Sequence, residues 1–394
     1  MVNLTTKYVS TITSDTTTKL LFQRPVFVAV APDGKSLFVS ISMSRYIARI
    51  DLKTGNVTNV VANATTPFLV DDPYGVSPNG TYEPYGVLLM PDASVLIVAD
   101  HTFDAVRCVK LAGTVGVGAI VTIAGNGTGG YADASRDDTA SSFMAEPSVS
   151  MFNAPQGMGW WQMGNSTWTF LVADYFNGAV RAVTLQNDSF DPFPPPELYN
   201  KTIAISIAIA ALTSMHQHQS SNVVYAVRSL TQVISLGGQI TMSTSNSGVI
   251  IAGSNTTSGT ADGAGDAARF QRINGMTGDD GEFLYVADND TIRGVSTTGA
   301  HIVTTLITNN MSTFNAIVLG LPCKLFVAGY NTMIYMVDLC NGNSVSSLSN
   351  VSLSGGISLI SASVVAGRSL SQCASLASLS LFVVSSNTIY CLDV

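Results

Sequence analysis

Three aspartate–arginine pairs, spaced five or seven residues apart, are the first side chains in this sequence that could carry chemistry. They are Asp100 with Arg107, Asp174 with Arg181, and Asp288 with Arg293. One interpretation makes the aspartates a ring of metal ligands. We favour an ion pair that joins the end of one strand to the returning strand, because a guanidinium offers a fork of donors that fits a carboxylate.

Two further patterns match functional motifs only in part. If 216–218 is a strand, His216 and His218 share one face and begin a zinc site, but no nearby carboxylate completes the ligand set. We favour an exposed polar loop at this position. The run 125–130 has the spacing of the dinucleotide fingerprint, yet the residues after it do not open a helix. The sequence contains no nucleophile elbow, Walker loop or HExxH motif. We therefore expect no catalytic residue, no cofactor and no metal, and a protein that is not an enzyme.

The stretch 248–305 shows the kind of element that would position these side chains. Its β-branched and aromatic run at 283–287 predicts a strand, and 292–296 returns after an Asn-Asp turn. A further strand is expected at 301–306, after Thr-Gly. Short strands joined by tight turns at this spacing are typical of one blade of a β-propeller.

The same stretch contains Gly-x-x-Asp-Gly, Ala-Ala-x-Phe, Val-Ala-Asp and Ile-Arg in that order. These letters are carried by Asp262, Gly263, Ala268, Phe270, Val286, Ala287, Asp288, Ile292 and Arg293. The order resembles the NHL-repeat propeller family, and a weaker copy runs over 130–155 and on to Asp174 and Arg181. The resemblance implies a propeller and specifies architecture far better than activity.

Seven hairpins recur along the chain. They are expected at 37–52, 96–111, 170–185, 223–236, 284–296, 325–339 and 381–394. No linker divides them, so we predict one all-β domain over 1–394. It would be a single β-propeller of seven blades, with six as the alternative because the fourth hairpin is poorly marked.

The two ends of the chain predict how the ring closes. The C-terminal Ile-Tyr-Cys-Leu-Asp-Val corresponds to the third strand of a blade, and Tyr-Val-Ser-Thr-Ile at 8–12 corresponds to the missing fourth. We expect this N-terminal strand, within 7–13, to pair with 389–394 and complete the last blade. That pairing would satisfy an otherwise open sheet edge.

Five cysteines suggest disulfides if the compartment is oxidising. With a two-residue Asn-Thr turn between the strands, Cys323 would lie opposite Cys340 at a non-hydrogen-bonded site, close enough for a bridge. Cys373 with Cys391 is a second candidate, which leaves Cys108 free or bonded to another chain.

Composition excludes several partners. A net charge of −8 argues against nucleic acid, and no Lys/Arg cluster suits an anionic membrane. No segment reaches the roughly 18–20 apolar residues that span a bilayer. Charged residues are nevertheless only 11% and mean hydropathy is +0.32, so something other than charge must keep the protein in solution.

N-linked glycans would supply that solubility, because 12 of the 24 asparagines stand in Asn-x-Ser/Thr sequons. The sequons begin at Asn3, Asn56, Asn63, Asn79, Asn126, Asn165, Asn187, Asn200, Asn255, Asn289, Asn310 and Asn350. The alternative is that a Ser/Thr-rich chain contains sequons by chance. We favour a glycoprotein that is secreted or held at the cell surface.

These observations favour a structural propeller that associates with copies of itself into an extracellular filament, coat or appendage. One alternative is a ligand- or glycan-binding module, in which Trp160, Trp161 and Trp168 either stack on sugars or form core. Another is a metal-dependent hydrolase or lyase, although no ligand set matches one.

Overall fold

The regular structure of the described residues is almost entirely β-strand. The computed structural model describes residues 9–11, 23–61, 71, 81, 83–112, 117–132, 150–163, 167–186, 206–208, 215–218, 223–236, 248–279, 281–308, 312–320, 323–329, 333–347, 357–363, 380–385 and 388–393. Within these ranges the regular structure is strand, apart from a 3-10 helix at Gly265–Ala267. No helix of this described part is long and apolar enough to cross a membrane. The all-β prediction is confirmed.

The strands are short and follow one another closely. They are β1 (Val9–Thr11), β2 (Pro25–Val30), β3 (Ser36–Ile41), β4 (Tyr46–Asp51), β5 (Val57–Val61), β6 (Pro84–Leu89), β7 (Val95–Asp100), β8 (Ala105–Lys110), β9 (Ile120–Ala124), β10 (Pro155–Met163), β11 (Thr167–Asp174), β12 (Ala179–Gln186), β13 (Ser206–Ala208), β14 (Met215–His218), β15 (Val223–Arg228), β16 (Gln232–Ser235), β17 (Val249–Gly253), β18 (Gly263–Ala264), β19 (Ile273–Gly278), β20 (Phe283–Asp288), β21 (Thr291–Ser296), β22 (Ile302–Thr308), β23 (Phe314–Leu319), β24 (Lys324–Gly329), β25 (Ile334–Asp338), β26 (Ser344–Ser347), β27 (Ile357–Ser363), β28 (Ser380–Ser385) and β29 (Thr388–Asp393).

The described strands form seven antiparallel sheets, which we number in chain order. Sheets 1 to 4 are β2–β5, β6–β9, β10–β13 and β14–β17; sheet 5 is β19–β22 with β18 beside β22; sheet 6 is β23–β26; sheet 7 is β27–β29 with β1. Each of the seven predicted hairpins forms the second and third strands of one sheet, from β3–β4 to β28–β29. Turn residues between β-branched and aromatic runs were therefore a reliable signal for these pairs.

The N-terminal strand belongs to the last sheet. In β1, Val9 lies opposite Leu392 and Thr11 lies opposite Tyr390 of β29. This is the pairing expected for 8–12 with 389–394. It makes β1 the fourth strand of sheet 7, so the first and last strands of the chain are neighbours.

Adjacent sheets pack through their first strands. β2 contacts β6, β6 contacts β10, and the series continues through β14, β19, β23 and β27, which contacts β2. The approach is close between sheets 2 and 3, where a Cβ on Gly86 would lie 2.1 Å from the backbone oxygen of Gln156. The space between these sheets is filled by side chains such as Phe152 and Phe170.

Each sheet has two ends, which we call proximal and distal. At the proximal end the first strand begins and the second turns into the third; at the distal end the first turns into the second and the third turns into the fourth. Between sheets 4 and 5, the Ile273 N–H donates to the Leu230 carbonyl at 2.7 Å, and between sheets 5 and 6, the Phe314 N–H donates to the Asn289 carbonyl at 2.6 Å. These contacts join proximal ends, so sheets 4 to 6 share a proximal and a distal side.

The bridge between Cys323 and Cys340 is confirmed, with a Cα–Cα distance of 5.4 Å. The predicted register is wrong by one residue, because Ala328 pairs with Ile334 and leaves Cys323 level with Leu339. Asn-Thr is a poor type I′ turn, and the strands are joined by three residues instead of two. Cys323, which directly precedes β24, has a φ of 63°, and its sulfur still reaches that of Cys340.

Cys108 is free and completely buried in the core between sheets 2 and 3. Burial raises the pKa of its thiol. A bond from Cys108 to another chain, one of the two expected alternatives, is therefore wrong for the folded protein. Cys373 lies outside the described residues, so its bridge to Cys391 stays a prediction.

Candidate functional site

The aspartate–arginine pairs Asp174–Arg181 and Asp288–Arg293 are ion pairs, as expected. Asp174 Oδ2 lies 2.9 Å from Arg181 Nη1, Asp288 Oδ2 lies 3.2 Å from Arg293 Nη1, and all four side chains are fully buried. Burial raises the pKa of both carboxyls, and hydrogen bonds from arginine and backbone N–H groups oppose that rise. In the described part of the chain, no group of three or more acidic, histidine or cysteine side chains is placed to hold a metal ion.

At the remaining position, Arg107 lies 3.1 Å from Asp71, which sequence reasoning missed. Asp71 also accepts hydrogen bonds from the backbone N–H and the hydroxyl of Thr122, at 2.8 and 2.7 Å. Asp100 accepts the Glu83 N–H at 3.0 Å and so fixes the start of β6. These contacts hold the segment leading into sheet 2 against its third and fourth strands.

The same arrangement recurs in sheet 5. Arg293 Nη2 lies 2.6 Å from Asp262 Oδ1, and Asp262 accepts the Thr305 N–H and hydroxyl, both at 2.9 Å. Asp288 accepts the Arg272 N–H at 2.8 Å, as Asp100 does with Glu83. The Asp-Gly of the repeat motif therefore tethers a connecting loop.

Two further candidate motifs are the histidine pair His216 and His218 and the glycine-rich run 125–130. β14 contains both His216 and His218, opposite Tyr225 and Val223, so this segment is a strand and the expected polar loop is wrong. Nothing is described of the two imidazole side chains. The run 125–130 forms an irregular loop, and no helix begins within its described continuation to Ala132.

The tryptophans do not supply an exposed stacking surface at two of the three positions. Trp160 packs against the core of sheets 2 and 3, and its Nε1–H donates to the Leu89 carbonyl at 3.2 Å. Trp168 packs against the same core, edge-on to Trp160 with ring centroids 5.5 Å apart. Both rings are partly buried against this core, as the core interpretation expects. The side chain of Trp161 lies outside the described part.

An aromatic and charged cluster instead lies on the proximal side of sheets 1 to 3. We call it the Tyr85–Phe176 cluster, and its members are Arg24, Glu83, Tyr85, His101, Tyr175 and Phe176. They come from the residue before β2, from the start of β6, and from the turns after β7 and β11. Sheets 2 and 3 are joined here, since the Ala154 N–H donates to Asp104 Oδ1 at 2.7 Å.

The rings of the cluster are in contact. Tyr85 stacks on His101 with centroids 4.5 Å apart, and Phe176 meets His101 edge-on at 6.2 Å. Tyr175 lies 5.2 Å from Phe176, and the Arg24 guanidinium lies 5.3 Å from the Tyr85 centroid. Tyr85 is almost buried, whereas Phe176 is 66% exposed and Tyr175 is 38% exposed. The cluster therefore has a packed base and an open aromatic surface.

Glu83 organises the charges of the cluster. Its carboxylate accepts the Thr102 hydroxyl at 2.6 Å and lies 3.5 Å from His101 Nδ1 and 3.6 Å from Arg24 Nη1. Burial raises the pKa of Tyr85, and the Arg24 guanidinium opposes that rise. The charges of Arg24 and Glu83 offset each other, which leaves a nearly neutral polar rim beside the rings.

Sequence reasoning did not single out these residues, although the repeat contained a signal for them. His101 and Tyr175 each follow the aspartate of a Val-Ala-Asp segment, the position held by Asn289 in sheet 5. Aligning the repeats on that aspartate places the next residue in the proximal turn. Loop residues held by a rigid scaffold often carry binding function, so a histidine and a tyrosine at this turn position are the signal for a surface site.

Most of the exposed aliphatic side chains in the described chain lie on the distal side of sheets 4 to 6. They are Val249 and Ile250 in β17, Ile302 in β22 and Val345 in β26, between 43% and 68% exposed, with Phe283 of β20 at 42% and Val117 before β9 at 54%. All but Val117 belong to sheets 4 to 6, and all lie at or beside the distal starts of second or fourth strands. On the proximal side, Met43 in the turn between β3 and β4 is 63% exposed, besides the exposed tyrosines and phenylalanine.

The sequons avoid the distal side of sheets 4 to 6. Its connections, at 219–222, 236–248, 279–282, 297–301, 320–323 and 339–343, contain no Asn-x-Ser/Thr. Among the described sequons, Asn56 lies at a distal turn of sheet 1, and Asn126, Asn255 and Asn289 lie on proximal sides. Asn3, Asn63, Asn79, Asn165, Asn187, Asn200, Asn310 and Asn350 lie outside the described residues.

Searches of protein-family models and of curated proteins find no match to this chain. The geometry of the two sides is therefore the basis for the functional proposals.

Proposed function

We propose that the seven sheets are the blades of one β-propeller spanning 1–394, a distant member of the NHL-repeat type. Two observations support this. The first strands of successive sheets contact one another in order, and the series returns from β27 to β2. β1 lies beside β29, so strands from both ends of the chain would close the ring in sheet 7.

The propeller is an extracellular N-glycoprotein in this proposal. The sequons support it, because the side chains of Asn56 and Asn255 are exposed, each next to an outer strand where a glycan would extend into solvent. The Cys323–Cys340 bridge is compatible with an oxidising compartment. With few charges on the chain, glycans would provide most of the hydration of its surface.

Its function is self-association into an extracellular filament, coat or appendage, through the distal side of sheets 4 to 6. One observation carries this proposal: exposed aliphatic side chains are concentrated where the connections have no sequon. Apolar surface is costly to leave in water, and grouped apolar side chains are typical of protein–protein contacts. A second copy of the chain would bury this apolar surface, and the contact would need no charge complementarity.

The position of the disulfide also favours association through the distal side. Cys323 and Cys340 lie in the two distal connections of sheet 6, one before β24 and one after β25. The bridge fixes these connections beside Val345, and rigid surfaces lose less conformational entropy on association.

Added glycans test the surface directly. Ile302→Asn creates a sequon with Thr304, and Val345→Asn creates one with Ser347, so each places a sugar within the aliphatic group. Ser229→Asn, which creates a sequon with Thr231 at the proximal turn of sheet 4, is the matched control because its φ of 52° suits asparagine. Occupancy of each new sequon is measured by mass spectrometry.

Sedimentation velocity over a range of concentrations, with electron microscopy of the native material, gives the readout. The natural protein and Ser229→Asn should associate alike, whereas the two distal variants should weaken association on the order of tenfold or more by excluding the partner surface. A natural protein that stays monomeric at every concentration, or distal glycans that leave association unchanged, would show the proposal to be wrong.

A further inference from the structure

We propose that the Tyr85–Phe176 cluster is a saccharide-binding site, which takes a neutral pyranose ring against Phe176 and Tyr175. This activity is separate from self-association, since the cluster lies on the proximal side and the aliphatic group lies on the distal side.

The aromatic surface is the first reason. Phe176 is 66% exposed although it is held by ring contacts to His101 and Tyr175, so its position is fixed while one surface is open to solvent. The C–H face of a pyranose is apolar and stacks on such a ring, which removes apolar area of both partners from water. A rigid exposed aromatic is a typical binding anchor because little side-chain entropy is lost on contact.

The polar rim is the second reason. Glu83 keeps 26% of its side chain exposed and Arg24 keeps 54% exposed, so both can still exchange hydrogen bonds with a ligand. A carboxylate and a guanidinium are planar groups that bind vicinal hydroxyls in pairs. Both are positioned in advance, Glu83 by Thr102 and His101 and Arg24 by Glu83, which reduces the cost of ordering them on binding.

The charge balance selects a neutral ligand. Arg24 and Glu83 lie 3.6 Å apart, so neither charge is left to attract an ion strongly. Asp104 is the next acidic group, and its Oδ1 accepts the Ala154 N–H at 2.7 Å. A cation would compete with Arg24 for Glu83, and an anion would compete with Glu83 for Arg24. Sugar hydroxyls can instead donate to one and accept from the other.

The test uses the full chain titrated with the methyl glycosides of glucose, galactose, mannose and N-acetylglucosamine. Saturation-transfer NMR should show contact with the ring C–H protons of at least one glycoside, and calorimetry gives its affinity. Phe176→Ala and Glu83→Gln should each lower that affinity on the order of tenfold, through lost stacking and lost hydrogen bonding respectively. Phe283→Ala, which removes an exposed aromatic from the distal side, should leave it unchanged.

Each other result counts against the site. If no glycoside binds, or if one binds equally well to Phe176→Ala and Glu83→Gln, the cluster is not a saccharide site. Binding of tetramethylammonium without any glycoside would assign the rings to a cation and overturn the proposal. The melting temperature of each variant, matched to that of the natural protein, establishes that a loss of binding is local.

Discussion

Arg293 Nη2 donates to Asp262 Oδ1 at 2.6 Å and thereby fastens the loop that leaves sheet 4 to the third strand of sheet 5. The same guanidinium lies 3.2 Å from the buried Asp288 and over the Phe270 ring at 5.4 Å. One side chain therefore joins a strand end, a connecting loop and an aromatic core residue. A similar arrangement recurs around Arg107, whose Nη2 lies 3.1 Å from Asp71 Oδ1.

Replacing Arg293 should destabilise the fold strongly. In Arg293→Leu, the fully buried Asp288 loses its counter-ion, and removing one partner of a buried pair costs about 3–5 kcal/mol. Denaturant unfolding followed by tryptophan fluorescence measures the change. Arg272→Leu is the matched control, because Arg272 is exposed and its tie to Asp288 is through the backbone N–H. Equal stability of the two variants would contradict the role given to Arg293.

The stabilising effect of Asp262 should depend on pH. Burial pushes the pKa of its carboxyl upward, but hydrogen bonds from Thr305 and Arg293 outweigh burial and leave the pKa below its ordinary value. A folded pKa below the unfolded one, about 3.9 for aspartate, gives stability that is present above that pH. That stability is lost as pH falls through the folded pKa.

Unfolding of the natural protein and of Asp262→Asn across pH 3 to 7 measures this effect. The difference in unfolding free energy should be constant near neutral pH and should shrink in the acid range. Asp266→Asn, an exposed neighbour four residues along the chain, controls for the loss of an acidic group. A difference that does not change with pH would show that the carboxylate charge of Asp262 is not what stabilises the loop.

Local patterns predicted the strands well because turn chemistry and β-branched runs act over a few residues. They predicted the Cys323–Cys340 bridge, but its register depended on a turn whose three-residue length the Asn-Thr pair does not specify. The Tyr85–Phe176 cluster was not predicted, because its members come from three sheets and meet only when those sheets pack. Asp71 was missed for the same reason, since Arg107 lies 36 residues away along the chain.

Breaking the disulfide should weaken both the fold and the proposed association. The bridge closes a loop between residues 17 apart, and such a loop is worth about 3 kcal/mol through the entropy of the unfolded chain. Replacing both Cys323 and Cys340 by serine should lower stability by that amount and raise the dissociation constant of the oligomer. Denaturant unfolding and sedimentation measure the two effects. Peptide mapping without reductant that finds either thiol free in the native protein would contradict the bridge.

Glycan occupancy should differ among the sequons in a way that the structure explains. Most of the 12 should be modified, with high occupancy at the exposed Asn56 and Asn255. Asn289 should be low, because its Nδ2 donates to Gln271 Oε1 at 2.8 Å and to Asp290 Oδ1 at 3.3 Å within a tight turn. A glycan on that nitrogen removes one of its two N–H donors.

Glycopeptide mass spectrometry before and after amidase treatment gives the occupancy of each sequon. The reference is Asn56 in the distal turn of sheet 1, an exposed asparagine in the same kind of sequon. Equal occupancy at Asn56 and Asn289 would show that the folded turn does not influence modification. An unmodified chain that remains soluble would show that glycans are not what keeps the protein in solution.

Removing the N-terminal strand should destabilise the whole protein rather than one end of it. β1 pairs with β29 through Val9–Leu392 and Thr11–Tyr390, so deletion of 1–13 would leave the backbone groups of β29 unpaired along an open edge. In a closed ring, the loss of that edge would weaken the contact of β27 with β2 and, through it, every sheet. An exposed edge also invites indiscriminate strand addition, so the truncated chain should aggregate.

Thermal unfolding and light scattering measure the loss of stability and the aggregation. Asn3→Gln controls for the sequon that the deletion removes. Deletion of 188–196, within the connection between β12 and β13, should leave the fold intact. A truncated chain that unfolds at the temperature of the natural protein would show that β1 is dispensable and that the ring does not depend on it.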